Sequence, residues 1–184
     1  MPIVINGTGT VTGLSAGGIS NTNAVASAAM PSGSVIQCLQ DVKSDVFTTT
    51  SGTPVDVTGW SQAITTTGSN KVLVQVTCGV VSMATGGYSA EINLVRGSTT
   101  IAIGDTNGSR TRVTMASNGA SNYDLSSPSI IFLDSPGAGT HTYKVQMATQ
   151  DGTGTACLNQ RGDDGDGASY CVGTSTLTVM EIAA

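Results

Sequence analysis

The stretch Tyr88-Ser89-Ala90-Glu91-Ile92-Asn93-Leu94-Val95-Arg96 alternates apolar and polar residues over most of its length. Tyr88, Ala90, Ile92 and Leu94 fall on one side, and Ser89, Glu91 and Asn93 on the other. A period of two is the mark of a half-buried β-strand, because successive side chains leave opposite faces of the backbone. Val72, Val74, Val76 and Cys78 repeat the pattern, as do Tyr143, Val145 and Met147 between Thr142, Lys144 and Gln146. Further strands are expected at 35–40, 45–50, 54–58, 60–65, 101–103, 110–115 and 172–182. The run Ile130-Ile131-Phe132-Leu133 reads as a strand covered on both faces. Nowhere does a helical period interrupt the series; only 23–30, an Ala-rich stretch before Pro31, has helix-forming composition.

Composition agrees. The 184 residues include 27 Thr, 21 Ser and 24 Gly, types that resist helix or break it. Nine to ten short strands with Gly-rich turns such as Gly86-Gly87 and Asn107-Gly108 predict an all-β fold. The expected architecture is an antiparallel β-sandwich, jelly-roll-like, over residues 34–184. Residues 1–33 differ: they are Gly-rich, with Ile3, Ile5, Val11 and Leu14 as sparse apolar positions, and no charged side chain precedes Asp41. Alone they bury too little to offset their ordering entropy. They are either a loose terminus or, as their apolar spacing favours, an extended arm for attachment and oligomerisation.

Charge limits the function. Seven Lys and Arg against twelve Asp and Glu give a net charge of -5, which leaves few cations for phosphates and argues against nucleic-acid binding. No apolar run approaches the ~20 residues that span a bilayer, so no membrane insertion is expected. The start Met1-Pro2-Ile3 lacks the features of a secretory signal.

Candidate sites are few. Cysteines stand at 38, 78, 157 and 171, which allows three pairings. Cys157 and Cys171 flank a polar loop, and a disulfide between them would close a hairpin; two free thiols are the alternative. Cys38 and Cys78 lie in apolar runs and read as free thiols. No spacing suggests zinc, and neither metal nor cofactor is expected. In the loop, Arg161-Gly162-Asp163-Asp164-Gly165-Asp166 gathers three carboxylates. Calcium favours such oxygens, but the pattern is not that of an EF-hand, and a solvated tip is the simpler reading. Arg161-Gly162-Asp163 also spells an adhesion tripeptide, a match frequent by chance. The single imidazole, His141, has no nucleophile turn to serve. Acids such as Asp56, Glu91, Asp105, Asp124 and Asp134 lack the aromatic platforms usual in glycan hydrolases, since only Trp60, four Tyr and two Phe are present. Enzymatic activity is not expected.

Several segments together resemble small virion proteins of tailed phages of aquatic bacteria, cyanophages included, described as tail-fibre or related structural proteins. The resemblance is carried by Met1-Pro2-Ile3-Val4-Ile5-Asn6-Gly7-Thr8-Gly9-Thr10-Val11-Thr12-Gly13-Leu14 and Asn70-Lys71-Val72-Leu73-Val74. It continues through Leu94-Val95-Arg96-Gly97-Ser98-Thr99, Ile101-Ala102-Ile103-Gly104, Phe132-Leu133-Asp134-Ser135-Pro136, Thr142-Tyr143-Lys144-Val145-Gln146 and Ser175-Thr176-Leu177-Thr178-Val179-Met180-Glu181-Ile182. It implies a non-enzymatic component of the virion surface, assembled in the host cytoplasm. A homotrimer is implied, whose partners are its own copies, other tail or capsid proteins, and a host-surface receptor. The arm would attach it, while loops at 116–127 and at Arg161, Asp163, Asp164 and Asp166 would face outward. A capsid decoration or head-fibre protein is the alternative expectation.

Overall fold

The computed structural model describes residues 30–184. In chain order the strands are β1 (Val35–Lys43), β2 (Phe47–Thr49), β3 (Val55–Thr66), β4 (Lys71–Thr77), β5 (Val81–Met83) and β6 (Ser89–Arg96). They continue as β7 (Thr99–Ile101), β8 (Met115–Asn118), β9 (Ser129–Asp134), β10 (Gly139–Thr149), β11 (Ala156–Leu158) and β12 (Ser175–Ile182). Every pairing is antiparallel. One sheet runs β1-β12-β4-β9; a second runs β3-β10-β6-β7 with β8 also on β6; a small third sheet runs β2-β11-β5. The chain is thus an all-β antiparallel sandwich. The arm residues Ile3, Ile5, Val11 and Leu14 lie outside the described residues.

The alternating strands explain the core. Val72, Val74 and Val76 of β4, with Leu177 and Val179 of β12, line the inner face of the first sheet and are fully buried. Ala90, Ile92 and Leu94 of β6 meet Tyr143, Val145 and Met147 of β10 on the second. Trp60 and Ile64 of β3 join the same cluster. Burying side chains of this size contributes about 1.5–3 kcal/mol each, the main force holding the sheets together.

Three expectations are corrected. The run at β9 is covered on one face only: Ile131 is 64% and Leu133 48% exposed, because β9 is the edge of its sheet and nothing packs outside it. Residues 110–115 are not a strand; pairing on β6 begins at Met115, and the stretch read as a surface loop from Ala116 starts with strand β8. Finally, 54–58 and 60–65 form one strand, β3, interrupted by a bulge. Lys144 pairs with Ser61 and Gln146 with Asp56, so residues 57–60 stand opposite Val145 alone. Gly59, at φ +73°, turns the chain there, in a region that only glycine enters freely.

Two buried acids tie the layers together. Asp134 of β9 accepts hydrogen bonds across the sandwich from Arg96 Nη1 at 2.6 Å and Tyr143 Oη at 2.7 Å. Glu181 of β12, 2% exposed, accepts from Gln37 Nε2 at 2.7 Å, Asn70 Nδ2 at 2.8 Å and the Thr67 amide at 2.9 Å. Burial alone would raise its pKa, but the bonds from Asn70, Thr67 and Gln37 outweigh that and hold it below the ordinary 4.5. A carboxylate depressed on folding adds stability above its unfolded pKa and loses it as pH falls through the folded value. The wild type is therefore expected to lose stability relative to Glu181→Gln as pH drops below about 4.5. Urea midpoints of both proteins between pH 6 and 3 measure the difference; parallel curves would remove Glu181 from the acid response.

Candidate recognition surface

Strand β5 is only three residues long, all buried, and two long loops are gathered around it. The β8–β9 loop is fixed by a bridge between Val81 and Ser126, whose amides and carbonyls exchange bonds at 2.8 and 3.0 Å. The Ser126 hydroxyl also bonds that of Ser117. The β11–β12 loop crosses the other end of β5, where Gly162 lies directly against the Met83 carbonyl and leaves no room for a Cβ. Any larger residue would push the loop off β5.

These two anchors bring together residues far apart in sequence. The Arg161 guanidinium sits between two tyrosine rings, 5.1 Å from the Tyr123 centroid and 5.0 Å from that of Tyr170. At these separations each face attracts the cation. Arg161 Nε and Nη2 donate to Asp163 Oδ1 and Oδ2, both at 2.9 Å, and Nη1 donates to the Ser169 carbonyl at 2.8 Å. Planar, bidentate pairing of this kind fixes geometry as well as charge. Gly165 lies under the Tyr170 ring, where a Cβ would collide with it. Both loops are thereby joined into one ordered surface. It presents Tyr123 at 62% exposure and Val172 at 69%, with Leu125 and Tyr170 also exposed. Asp164 and Asp166 stand in solvent beside it.

Of the expected loop residues, Arg161 and Asp163 come together, while Asp164 and Asp166 point to neither. Asp163 is thus an ion-pair partner rather than part of a solvated acidic tip. The Arg161-Gly162-Asp163 tripeptide is closed on itself, its two charges spent on each other. Among the described residues, no group of three or more His, Cys, Asp or Glu side chains is arranged to hold a metal ion.

The disulfide expected between Cys157 and Cys171 is not formed, and all four cysteines are free thiols. The reason is topological. β11 pairs with β2 and β5 rather than with β12, so the intervening loop is not a hairpin. Cys157 is buried on the central strand of the small sheet, whereas Cys171 is exposed. Burial raises the Cys157 thiol pKa and pushes that of Cys78 up to about 12, so neither forms the reactive thiolate readily.

The other candidate residues are occupied elsewhere. Asp56 accepts from Lys144 Nζ and Gln146 Nε2, each at 2.7 Å, beside a hollow of about 280 Å³ at the β3 bulge. Asp124 caps the Ser121 amide at 2.9 Å. His141 is half-buried, with Nε2 3.1 Å from the Gly137 carbonyl. The residues that sequence reading missed are Tyr123 and Tyr170. Their signal was an aromatic standing alone in a polar loop of a chain with 4% aromatics.

No protein-family model matches this chain, and no curated protein matches it.

Proposed function

We propose that this protein is a non-enzymatic structural component of a phage virion, a trimeric tail-fibre knob anchored through residues 1–33. In this reading it meets the host surface through the loops around β5. The observation that carries it is the Tyr123–Arg161–Tyr170 stack. Two loops 38 residues apart in sequence at their contact are fixed into one aromatic surface, though neither needs that order to connect its strands. Loops held by a rigid scaffold are where proteins place recognition, and preordering lowers the entropy lost on binding. Exposed tyrosines supply large contact area with few rotatable bonds. The charge-poor Thr/Ser/Gly composition and the resemblance to phage virion proteins supply the setting.

The test uses fluorescently labelled full-length protein and cells of the bacterium on which the phage grows. The Tyr123→Ser/Tyr170→Ser variant is expected to bind at least tenfold less than wild type, while Asp164→Ala/Asp166→Ala, which leaves the stack intact, keeps most binding. Equal binding by wild type and the tyrosine variant would overturn the recognition role. Counting copies per virion by quantitative mass spectrometry tests the placement. A count matching the shell subunits would replace the fibre with a capsid decoration protein.

A further inference from the structure

The outward face of the β1-β12-β4-β9 sheet is bare and apolar. The registers align Cys38, Met180, Leu73 and Leu133 as one row across all four strands, with Ile131 beside it. Val35, 51% exposed, pairs with Ile182 at the end of the sheet. None of these side chains is charged. Contiguous apolar surface of this kind on a folded domain marks a contact site.

Three observations indicate what covers it. First, the 29 residues preceding the described part carry no charged side chain, so they match an uncharged face without desolvating any ion. Second, they join the fold at this sheet. The Gly33 amide donates to the Ala183 carbonyl and the Ala183 amide to the Ser34 carbonyl, both at 2.9 Å, at the end that carries Val35. Third, the chain turns there. The Ser34 amide donates to the Pro31 carbonyl at 3.0 Å with Gly33 at φ +87°, a type II turn that directs the preceding chain back toward the sheet. Met30 is already half-buried.

We propose that residues 3–14 of the same chain lie across this outer face. Ile3, Ile5 and Val11 share one parity and therefore one side of an extended segment. That side would meet Leu73, Leu133 and Ile131. Twelve extended residues reach about 40 Å, longer than the seven-residue β4. Tethering at the sheet's own end gives the segment an effective concentration that a free partner rarely matches. The assignment goes beyond the proposed function and stands whether or not the protein belongs to a virion.

Hydrogen exchange of the full-length protein, read by mass spectrometry, tests it. Amides of residues 3–14 are expected to exchange at least tenfold more slowly than in an unstructured peptide, at every protein concentration. That protection is lost in Ile131→Lys/Leu133→Lys and kept in Ala63→Lys, an exposed position on β3. Amides of β12 in the same spectra report whether the sheet itself is intact. The milder Ile131→Thr/Leu133→Ser pair gives a second reading without added charge. Exchange at the peptide rate in wild type would overturn the assignment, as would protection that survives both face variants. Protection that vanishes on dilution would also overturn it, by giving the seat to a neighbouring copy.

Discussion

Asn159→Ala is expected to lower the unfolding free energy by about 3–5 kcal/mol, the largest loss from any single polar side chain in this fold. Asn159 is fully buried and adopts φ +64°, a conformation that asparagine tolerates and alanine does not. Its Nδ2 donates to the Lys43 and Asp45 carbonyls at 2.8 and 3.0 Å, and its Oδ1 accepts from Ser175 Oγ at 2.8 Å. Ser175 Oγ in turn accepts the Gly79 amide at 2.9 Å. One side chain therefore satisfies the turn after β1, the start of β12 and, through Ser175, the turn after β4. Truncation strands two buried carbonyls, each costing about 1–3 kcal/mol, and adds backbone strain. Asn159→Gly separates the two contributions, since glycine keeps the left-handed backbone and removes only the side chain. Urea midpoints at pH 7 give the values. A loss below 1 kcal/mol for the alanine variant would mean that water replaces the amide, and the hub description would be wrong.

Asp134→Ala is the second large effect, expected at about 3–5 kcal/mol because it leaves a buried partner charge uncompensated. Arg96 and Tyr143 sit on adjacent strands of one sheet and Asp134 on the edge strand of the other, so this trio is a polar link between layers. Burial, reinforced by the bond to Asp134, raises the Tyr143 pKa, so the phenol remains a donor throughout the neutral range. The expected pattern is non-additive. Asp134→Ala/Arg96→Met should recover about 1–2 kcal/mol relative to the sum of the single variants, since removing both ions leaves no orphan. Strict additivity in that cycle would show that the pair carries no coupling.

The strands that sequence made legible are those long enough to display a period. β4, β6 and the centre of β10 place their alternating residues as expected, because seven or more residues show two faces. β5 and β11 escaped because three residues have no measurable period, and all six of their side chains are buried. β9 misled for a different reason. Its continuous apolar run resembles a strand covered on both sides, and sequence cannot distinguish a face covered by a sheet from one left for something else. The loop surface was half legible: 116–127 and 161–166 were marked as exposed, but their union depends on Gly162 and Ser126 meeting one short strand. Glycine and serine carry no directional signal of their own. The absence of a Cys157–Cys171 bridge follows from the same hidden strand, since only the pairing of β11 reveals that its flanking loop is not a hairpin.

The strand order also bears on synthesis. β12 lies between β1 and β4, so the first strand to emerge from the ribosome must wait for the last before its ladder can close. Until residues 175–182 are free, the nascent chain carries Val72, Val74 and Val76 without their neighbours and two unpaired strand edges. Pairings this distant in sequence close slowly and only after translation is nearly complete. A ribosome that stops anywhere before Ser175 therefore releases a chain unable to close this sheet, a built-in rejection of incomplete copies.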